Sequence, residues 1–375
     1  MFSAAKAAWL LGHHRGGSPC LGTVDSWLLA KLGAGHVVEV GNASRTQLLD
    51  VRRRQWSPEL LELFGIPAEA LPRVIPSSGA LADAAALHPG LAGVPVGAVL
   101  GDSHAALFAH TAGQPGRVKV TYGTGSSVMG LTEPDVPGDE GLCLTVGWHD
   151  EAPAYALEGN ILSTGATITW LAGLLGTEPA DLARLATRGC RGRLHIVPAF
   201  GGLGAPWWDD RAVAIMTGFG LDSRREDMAR AAVDSIGLQV GDVVSAMERA
   251  AGPVAELLAD GGPTANADLM QWQADVTGRA VRVARRPELS ALGAAHLAGR
   301  RPVMVPPGAV RAATSRPALY ARPIVVRTSP SPSRMALGSG PGSPPDQQER
   351  RSRSGGQRSW ELTVSSTRAA VAASP

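Results

Sequence analysis

Val94 to Leu100 runs into Gly101-Asp102-Ser103-His104, and Arg117 to Val120 runs into Thr121-Tyr122-Gly123-Thr124-Gly125-Ser126-Ser127. These glycine-punctuated turns, each after an apolar strand-like run, decide how the 375-residue chain is read. The first places a lone carboxylate at a strand end, just before the helix-like Ala105 to His110. Asp102 has two readings: a base that takes the proton of an attacking hydroxyl, or a cap on the following helix. The second turn is a tight loop of glycines and hydroxyls. Gly123 and Gly125 permit close backbone approach, and Thr124, Ser126 and Ser127 add hydroxyls. Such a loop suits phosphate oxygens held on backbone N–H groups. It also reads as a plain hairpin turn between Val118–Thr121 and Ser127–Leu131. A base beside a phosphate cradle is the minimum kit for phosphoryl transfer.

A third turn, Asp260-Gly261-Gly262-Pro263-Thr264-Ala265-Asn266, leaves Leu257-Leu258-Ala259 and precedes a helix from about Ala267. Strand, diglycine turn and helix N-terminus suit a nucleotide's phosphates or ribose. An ordinary strand-to-helix turn capped by Asn266 fits the same residues. Gly159-Asn160 through Gly165-Ala166-Thr167 opens the helix that carries Trp170. His104 and His110 read as solvated or packing side chains, because i, i+6 spacing does not put both on one helix face for a metal. Trp27, Trp170 and Trp272 sit within helical patterns and read as core.

Outward from these turns, strand-like and helix-like stretches alternate up to about Gly299, which argues for α/β layers. The longest expected helix is Arg225–Ala251, whose Met228, Ala232, Ile236, Val240 and Val243 recur at near-helical spacing. The chain is 44% hydrophobic with a formal charge of +2, so neither nucleic acid nor a membrane surface is an expected partner. Cys20, Cys143 and Cys190 are scattered with no C-x-x-C spacing, which favours neither zinc nor a disulfide framework. They read as reduced thiols in a cytoplasm. No metal-ligand set stands out. The apolar run Ala7 to Leu11 ends at His13-His14-Arg15 and makes a poor signal peptide. No window reaches the roughly 18 apolar residues of a membrane span. After Gly299 the texture turns rich in Pro, Ser, Arg and Gly without an apolar period, so residues 300–375 are expected to be a disordered tail. A linker would produce this switch; a reading-frame change in a GC-rich gene is the preferred origin.

The order of segments carries more than any one of them. Phe2-Ser3-Ala4-Ala5-Lys6, Gly22-Thr23-Val24-Asp25-Ser26-Trp27-Leu28 and Asn42-Ala43-Ser44-Arg45-Thr46 come first. Gly101-Asp102, Thr121-Tyr122-Gly123-Thr124-Gly125, Leu157-Glu158-Gly159, Pro198-Ala199-Phe200, Asp260-Gly261-Gly262 and Ala291-Leu292-Gly293-Ala294-Ala295 follow. This series resembles the FGGY carbohydrate kinase family, and within it the glycerol kinase-like members, over roughly residues 2 to 299. The resemblance implies an actin/Hsp70/ribonuclease-H-like two-domain ATPase fold: a remnant of the first domain at 1–112, a nucleotide-binding domain at 113–299 and the tail at 300–375. It implies ATP and Mg²⁺ on one side of a cleft and a small polyol or sugar on the other. A second copy of the chain, in a homo-oligomer, stays open as a partner. Asp102 becomes the catalytic base. Gly123 and Thr124 hold a β- or γ-phosphate, and Gly165, Gly262 and Asn266 contact the nucleotide. Asp102, Ser103 and Ser127 fall at acceptor-pocket positions. Ser103 stands where glycerol kinases carry Gln, and Ser127 where they carry Phe, which points to a different polyol. The family's N-terminal D-x-G-T phosphate and metal segment has no counterpart here, so a truncated kinase is expected. An inactive kinase fragment, or a nucleotide-binding module without transfer, is the alternative.

Overall fold

A computed structural model describes residues 2–136, 141–285 and 288–299, together with the backbone of a strand at 310–313. All belong to one unit, Met1–Ala321.

The N-terminal part alternates short helices and small sheets. In order it runs α1 (Ala4–His13), α2 (Val24–Lys31), β1 (Val37–Glu39), α3 (Val40–Ser44), β2 (Leu49–Asp50), β3 (Gln55–Trp56) and α4 (Pro58–Phe64). Then come β4 (Arg73–Ile75), β5 (Ser78–Asp83), β6 (Pro95–Ala98) and α5 (Asp102–Thr111). Local chemistry sets these bounds. In α4, Pro58 occupies the first turn, Ser57 Oγ accepts the Leu60 N–H, and Gly65 ends the helix in the left-handed region at φ 63°.

The rest is built on a seven-stranded sheet. Its strands are β7 (Arg117–Tyr122), β8 (Ser126–Thr132), β9 (Cys143–His149), β10 (Pro153–Ile161), β13 (Glu256–Asp260), β14 (Ala280–Ala284) and β15 (Val310–Ala313). Strands β11 (His195–Val197) and β12 (Ile215–Thr217) form a separate antiparallel pair. The order across the sheet is β15-β14-β13-β7-β8-β10-β9. An antiparallel set, β7-β8-β10-β9, is continued on the other side of β7 by β13 and β14 in parallel.

Helices cover both faces. Alternation along β7 and β8 sends Val118, Val120, Tyr122 and Val128 to one side, into a core with α6 (Gly165–Leu174), α7 (Pro179–Ala186), α8 (Arg225–Ala251) and α9 (Ala267–Thr277). The α8 residues Ala229, Ala232, Val233, Ile236, Val240, Val243 and Met247 form the stripe that meets them. Two glycines inside α8 have a packing cause: a Cβ on Gly237 would lie 2.5 Å from Trp272 Cδ1, and one on Gly241 2.6 Å from Val276 Cγ1. On the opposite face, Leu107 of α5 and Leu297 of α10 (Leu289–Ala298) pack with Met129, Trp148 and Ala156.

Trp272 is buried as expected, but Trp27 and Trp170 are 62% and 41% exposed, so helical spacing alone misassigned them to the core. Of the segment expected to be a tail, the described part is Val310–Ala313, which pairs antiparallel with β14. Its remainder lies outside the described residues.

Candidate active site

Strand β7 organises the site. Lys119 and Thr121 point away from the α8 core, toward α5. β7 and β13 run parallel with Thr121 opposite Asp260, so their two glycine turns leave the sheet side by side. In α/β sheets this crevice at the carboxyl ends of strands is where ligands sit. Gly261 has φ +95°, and a Cβ there would strike the Tyr122 carbonyl oxygen; only glycine allows this approach.

The Gly123-Thr124-Gly125 loop is closed by the Gly123 N–H donating to Gly125 O at 2.8 Å. It is tied to the start of α6: Gly165 N–H donates to Gly123 O and Ala166 N–H to Thr124 O, both at 3.0 Å, and Thr164 Oγ1 donates to Gly123 O at 3.1 Å. A Cβ on Gly165 would sit 2.5 Å from that same Gly123 oxygen. Gly123, Thr124 and Gly165 are thus one constellation, with Gly262 on the adjacent turn. Asn266 caps α9, its Oδ1 accepting the Asp268 and Leu269 N–H groups at 3.1 and 3.2 Å.

Asp102 is the first residue of α5 and is exposed. Gly101, not Asp102, is the N-cap, and among the described residues Asp102 Oδ1 accepts only its neighbour's N–H, from Ser103 at 2.7 Å. Its backbone is held from α10: Ser290 Oγ donates to Asp102 O at 2.8 Å. α10 lies so close to α5 that a Cβ on Gly293 would strike the Ala105 carbonyl.

Beneath Asp102, His104 is buried with Nε2 3.2 Å from Thr145 Oγ1. Burial, reinforced by the charges of Arg45 and Lys119, pushes its pKa down to about 3, so it packs as a neutral imidazole. Across from it, Glu39 accepts the Gly41 and Asn42 N–H groups, each at 2.8 Å, and the Ser77 hydroxyl. Burial pushes Glu39 up to about 7 against those hydrogen bonds. A Cβ on Gly41 would lie 3.0 Å from both Glu39 Oε1 and His104 Nδ1, so α3 and α5 meet through that glycine.

A cleft of about 80 Å³ is lined by Asp102, Ser103, Lys119, Thr121, Asp260 and Ser290, among others. His110, read from sequence as a solvated or packing side chain, instead places Nε2 2.7 Å from Asp260 Oδ2, linking α5 to β13. Burial would raise the Asp260 carboxyl, but the His110 hydrogen bond and the His110 and Lys119 charges hold it below its ordinary value. Lys119 is 0% exposed, and burial pushes its ammonium down against the pull of Asp260, Glu158 and Asp102. Ser127 lies apart from this lining, on β8 opposite Thr121 and Asn160. Sequence reasoning missed Lys119 and the His110–Asp260 pair. The one available signal was a lysine set between the valines of Arg117-Val118-Lys119-Val120-Thr121-Tyr122, on the opposite face. Among the described residues, no group of three or more His, Cys, Asp or Glu could hold a metal ion, and no helix is long and apolar enough to cross a membrane.

Residues 1–109 match the N-terminal domain, and residues 118–301 the C-terminal domain, of the FGGY family of carbohydrate kinases. The chain belongs to that family. Curated glycerol kinases from Gloeobacter violaceus and Methylorubrum populi are each 42% identical to it, over 308 and 319 residues, covering 80% of this chain. The match covers 62% and 63% of those proteins, so the chain spans less than two thirds of the length of the curated relatives it matches. Among solved structures, a Plasmodium falciparum glycerol kinase with ADP superimposes with a TM-score of 0.71 at 28% identity, covering 80% of this chain and 63% of that one. A xylulose kinase from Rhodospirillum rubrum gives 0.72 at 25% identity, covering 84% and 67%. The α/β architecture is that of these FGGY sugar kinases, the actin/Hsp70-like ATPase fold expected from the motif order.

Proposed function

We propose that the chain catalyses ATP-dependent phosphoryl transfer to an alcohol of a small polyol or sugar, as a glycerol kinase-like FGGY kinase. One observation carries this reading. Asp102, an exposed carboxylate with no side-chain partner among the described residues beyond its own neighbour's N–H, lies in a cleft that adjoins the bonded Gly123–Gly125 and α6 N-terminus constellation. The domain division we propose falls near residue 112, between α5 and β7.

In this reading the acceptor hydroxyl hydrogen-bonds to Asp102, which receives its proton as the oxygen attacks the γ-phosphorus. Gly123 and Thr124 present the loop to the β- or γ-phosphate, and the α6 N-terminus at Gly165 adds its dipole. Gly262 and Asn266 border the nucleoside side. Ser103 borders the acceptor; in place of a longer amide, its small hydroxyl leaves room for a polyol larger than glycerol, whereas Ser127 stands outside the cleft lining. Mg²⁺ would fit this donor set only as a phosphate-borne ion that keeps several waters, near the cleft carboxylates Asp102 and Asp260. When bound, it would neutralise charge on the transferring phosphate. With little covalent chemistry required, positioning and charge supply the rate. Cys20, Cys143 and Cys190 are free thiols, which fits work in a reducing cytoplasm.

A second reading, nucleotide binding without transfer, is favoured by the nucleotide-side contacts lying wholly within β7, α6 and the β13–α9 turn. ADP release measured with ATP, Mg²⁺ and a panel of glycerol, tetritols and pentitols separates the two. Polyol-dependent release supports the kinase; nucleotide binding indifferent to every polyol supports the module.

A further inference from the structure

Lys119 is the most anomalous side chain in the described structure. It is 0% exposed, and its Nζ has no hydrogen-bond partner among the described residues. Its neighbours in register are apolar: Met129 on β8 and Leu258 on β13, 0% and 6% exposed. A third apolar side chain would complete that row, and an unpaired buried ammonium is costly where one would not be. The stem covers this row while the head reaches the next one, Asp260-Thr121-Ser127, where the cleft opens. The nearby carboxylates are engaged: Glu158 with Arg45 at 2.8 Å, Asp260 with His110 at 2.7 Å. Asp102, across the cleft, accepts only from its own neighbour among the described residues.

We propose that Lys119 is a catalytic residue whose ammonium binds an oxygen of the transferring phosphoryl group. This rests on the phosphoryl-transfer reading above. The acceptor oxygen forms its bond to the γ-phosphorus, the bond from that phosphorus to the β,γ-bridging oxygen breaks, and ADP leaves with its electron pair. The acceptor's proton goes to Asp102, and Lys119 keeps its own throughout. Its hydrogens, unsatisfied without ligand, are then used where negative charge must be held, in a water-poor site where such a donor acts strongly.

The test compares wild type with Lys119→Met and Lys119→Arg by urea unfolding, by turnover, and by titration with ADP and with a non-hydrolysable ATP analogue. Lys119→Met is expected to unfold at or above the wild-type urea midpoint and to lose about 10²–10³-fold in kcat. It should bind ADP within threefold of wild type and lose the extra affinity for the ATP analogue. Lys119→Arg restores part of that preference. Retained turnover, or a Met variant that fails to fold or melts early, makes the lysine structural and overturns the proposal. Lost turnover with an unchanged analogue-to-ADP ratio overturns it too, since the contact then lies with the acceptor. If wild type releases no ADP with any polyol, the kinase reading fails, while the analogue-to-ADP ratio still decides the Lys119 contact.

Discussion

Replacing His104 by glutamine should change how stability responds to acid. His104 is 3% exposed, and its pKa sits near 3 because burial, then Arg45 and Lys119, disfavour the imidazolium. In the unfolded chain the same group returns to about 6.5. A lowered folded pKa gives stability that is present above the unfolded value and lost as pH falls toward the folded one. Between pH 7 and pH 5 the unfolded chain binds this proton and the folded chain does not, a loss of about 2 kcal/mol. Glu39 has the opposite sign. Its carboxyl sits near 7 against an ordinary 4.5, so its contribution is present below 4.5 and lost as pH rises through 7. Acidifying from pH 7 to pH 5 therefore restores about 2 kcal/mol from Glu39. In wild type the two contributions oppose each other across that window. His104→Gln keeps a partner for Thr145 but takes up no proton. Its unfolding free energy should rise by about 2 kcal/mol relative to wild type on going from pH 7 to pH 5. Glu39→Gln should fall by a similar amount. Urea unfolding at half-unit pH steps measures both, and parallel curves for wild type and His104→Gln would refute a neutral buried imidazole beneath Asp102.

Three further outcomes follow from the site. Gly261→Ala, which forces a Cβ at φ +95° onto the Tyr122 carbonyl, should cost on the order of 1–3 kcal/mol in urea unfolding and weaken ADP binding; wild-type values would contradict the packing of the two turns. Asn266→Ala removes the cap of α9 and should lower stability by about 1 kcal/mol. Calorimetric ADP titration should show weaker binding as well, and an unchanged Kd would take Asn266 out of the nucleotide site. His110→Leu leaves the mostly buried Asp260 carboxylate without its partner and should destabilise by about 1–3 kcal/mol, whereas His110→Asn should recover part of this. No loss in the leucine variant would mean that the α5–β13 link is not formed in solution.

The sequence was most legible where one element imposes its own period or cap. Arg225–Ala251 has the expected bounds and α9 the expected start, because a long apolar stripe and an Asn cap each act locally. The elements before Asp102 were less legible. β1 and β4 are three residues each and pair in parallel across intervening helices, so no local signal announces them. Within the site, Gly123, Thr124 and Gly165 were individually weak signals, and hydrogen bonds between segments some forty residues apart make them one constellation. His110 and Asp260 are 150 positions apart and carry no mutual pattern; only the parallel register of β7 and β13, with α5 packed beside them, brings the pair together. Lys119 was hidden for a different reason. Only the sheet order shows β7 to be an interior strand, between β13 and β8, where its lysine is buried.

The central claim is that Asp102 takes the acceptor's proton while separate residues hold the nucleotide. Its most direct test is ADP release by wild type and Asp102→Asn with saturating ATP, Mg²⁺ and the best polyol of the panel, alongside the ADP dissociation constant of each. The asparagine variant should lose about 10²–10⁴-fold in kcat while its ADP Kd stays within threefold. Equal turnover in the two proteins would contradict the account.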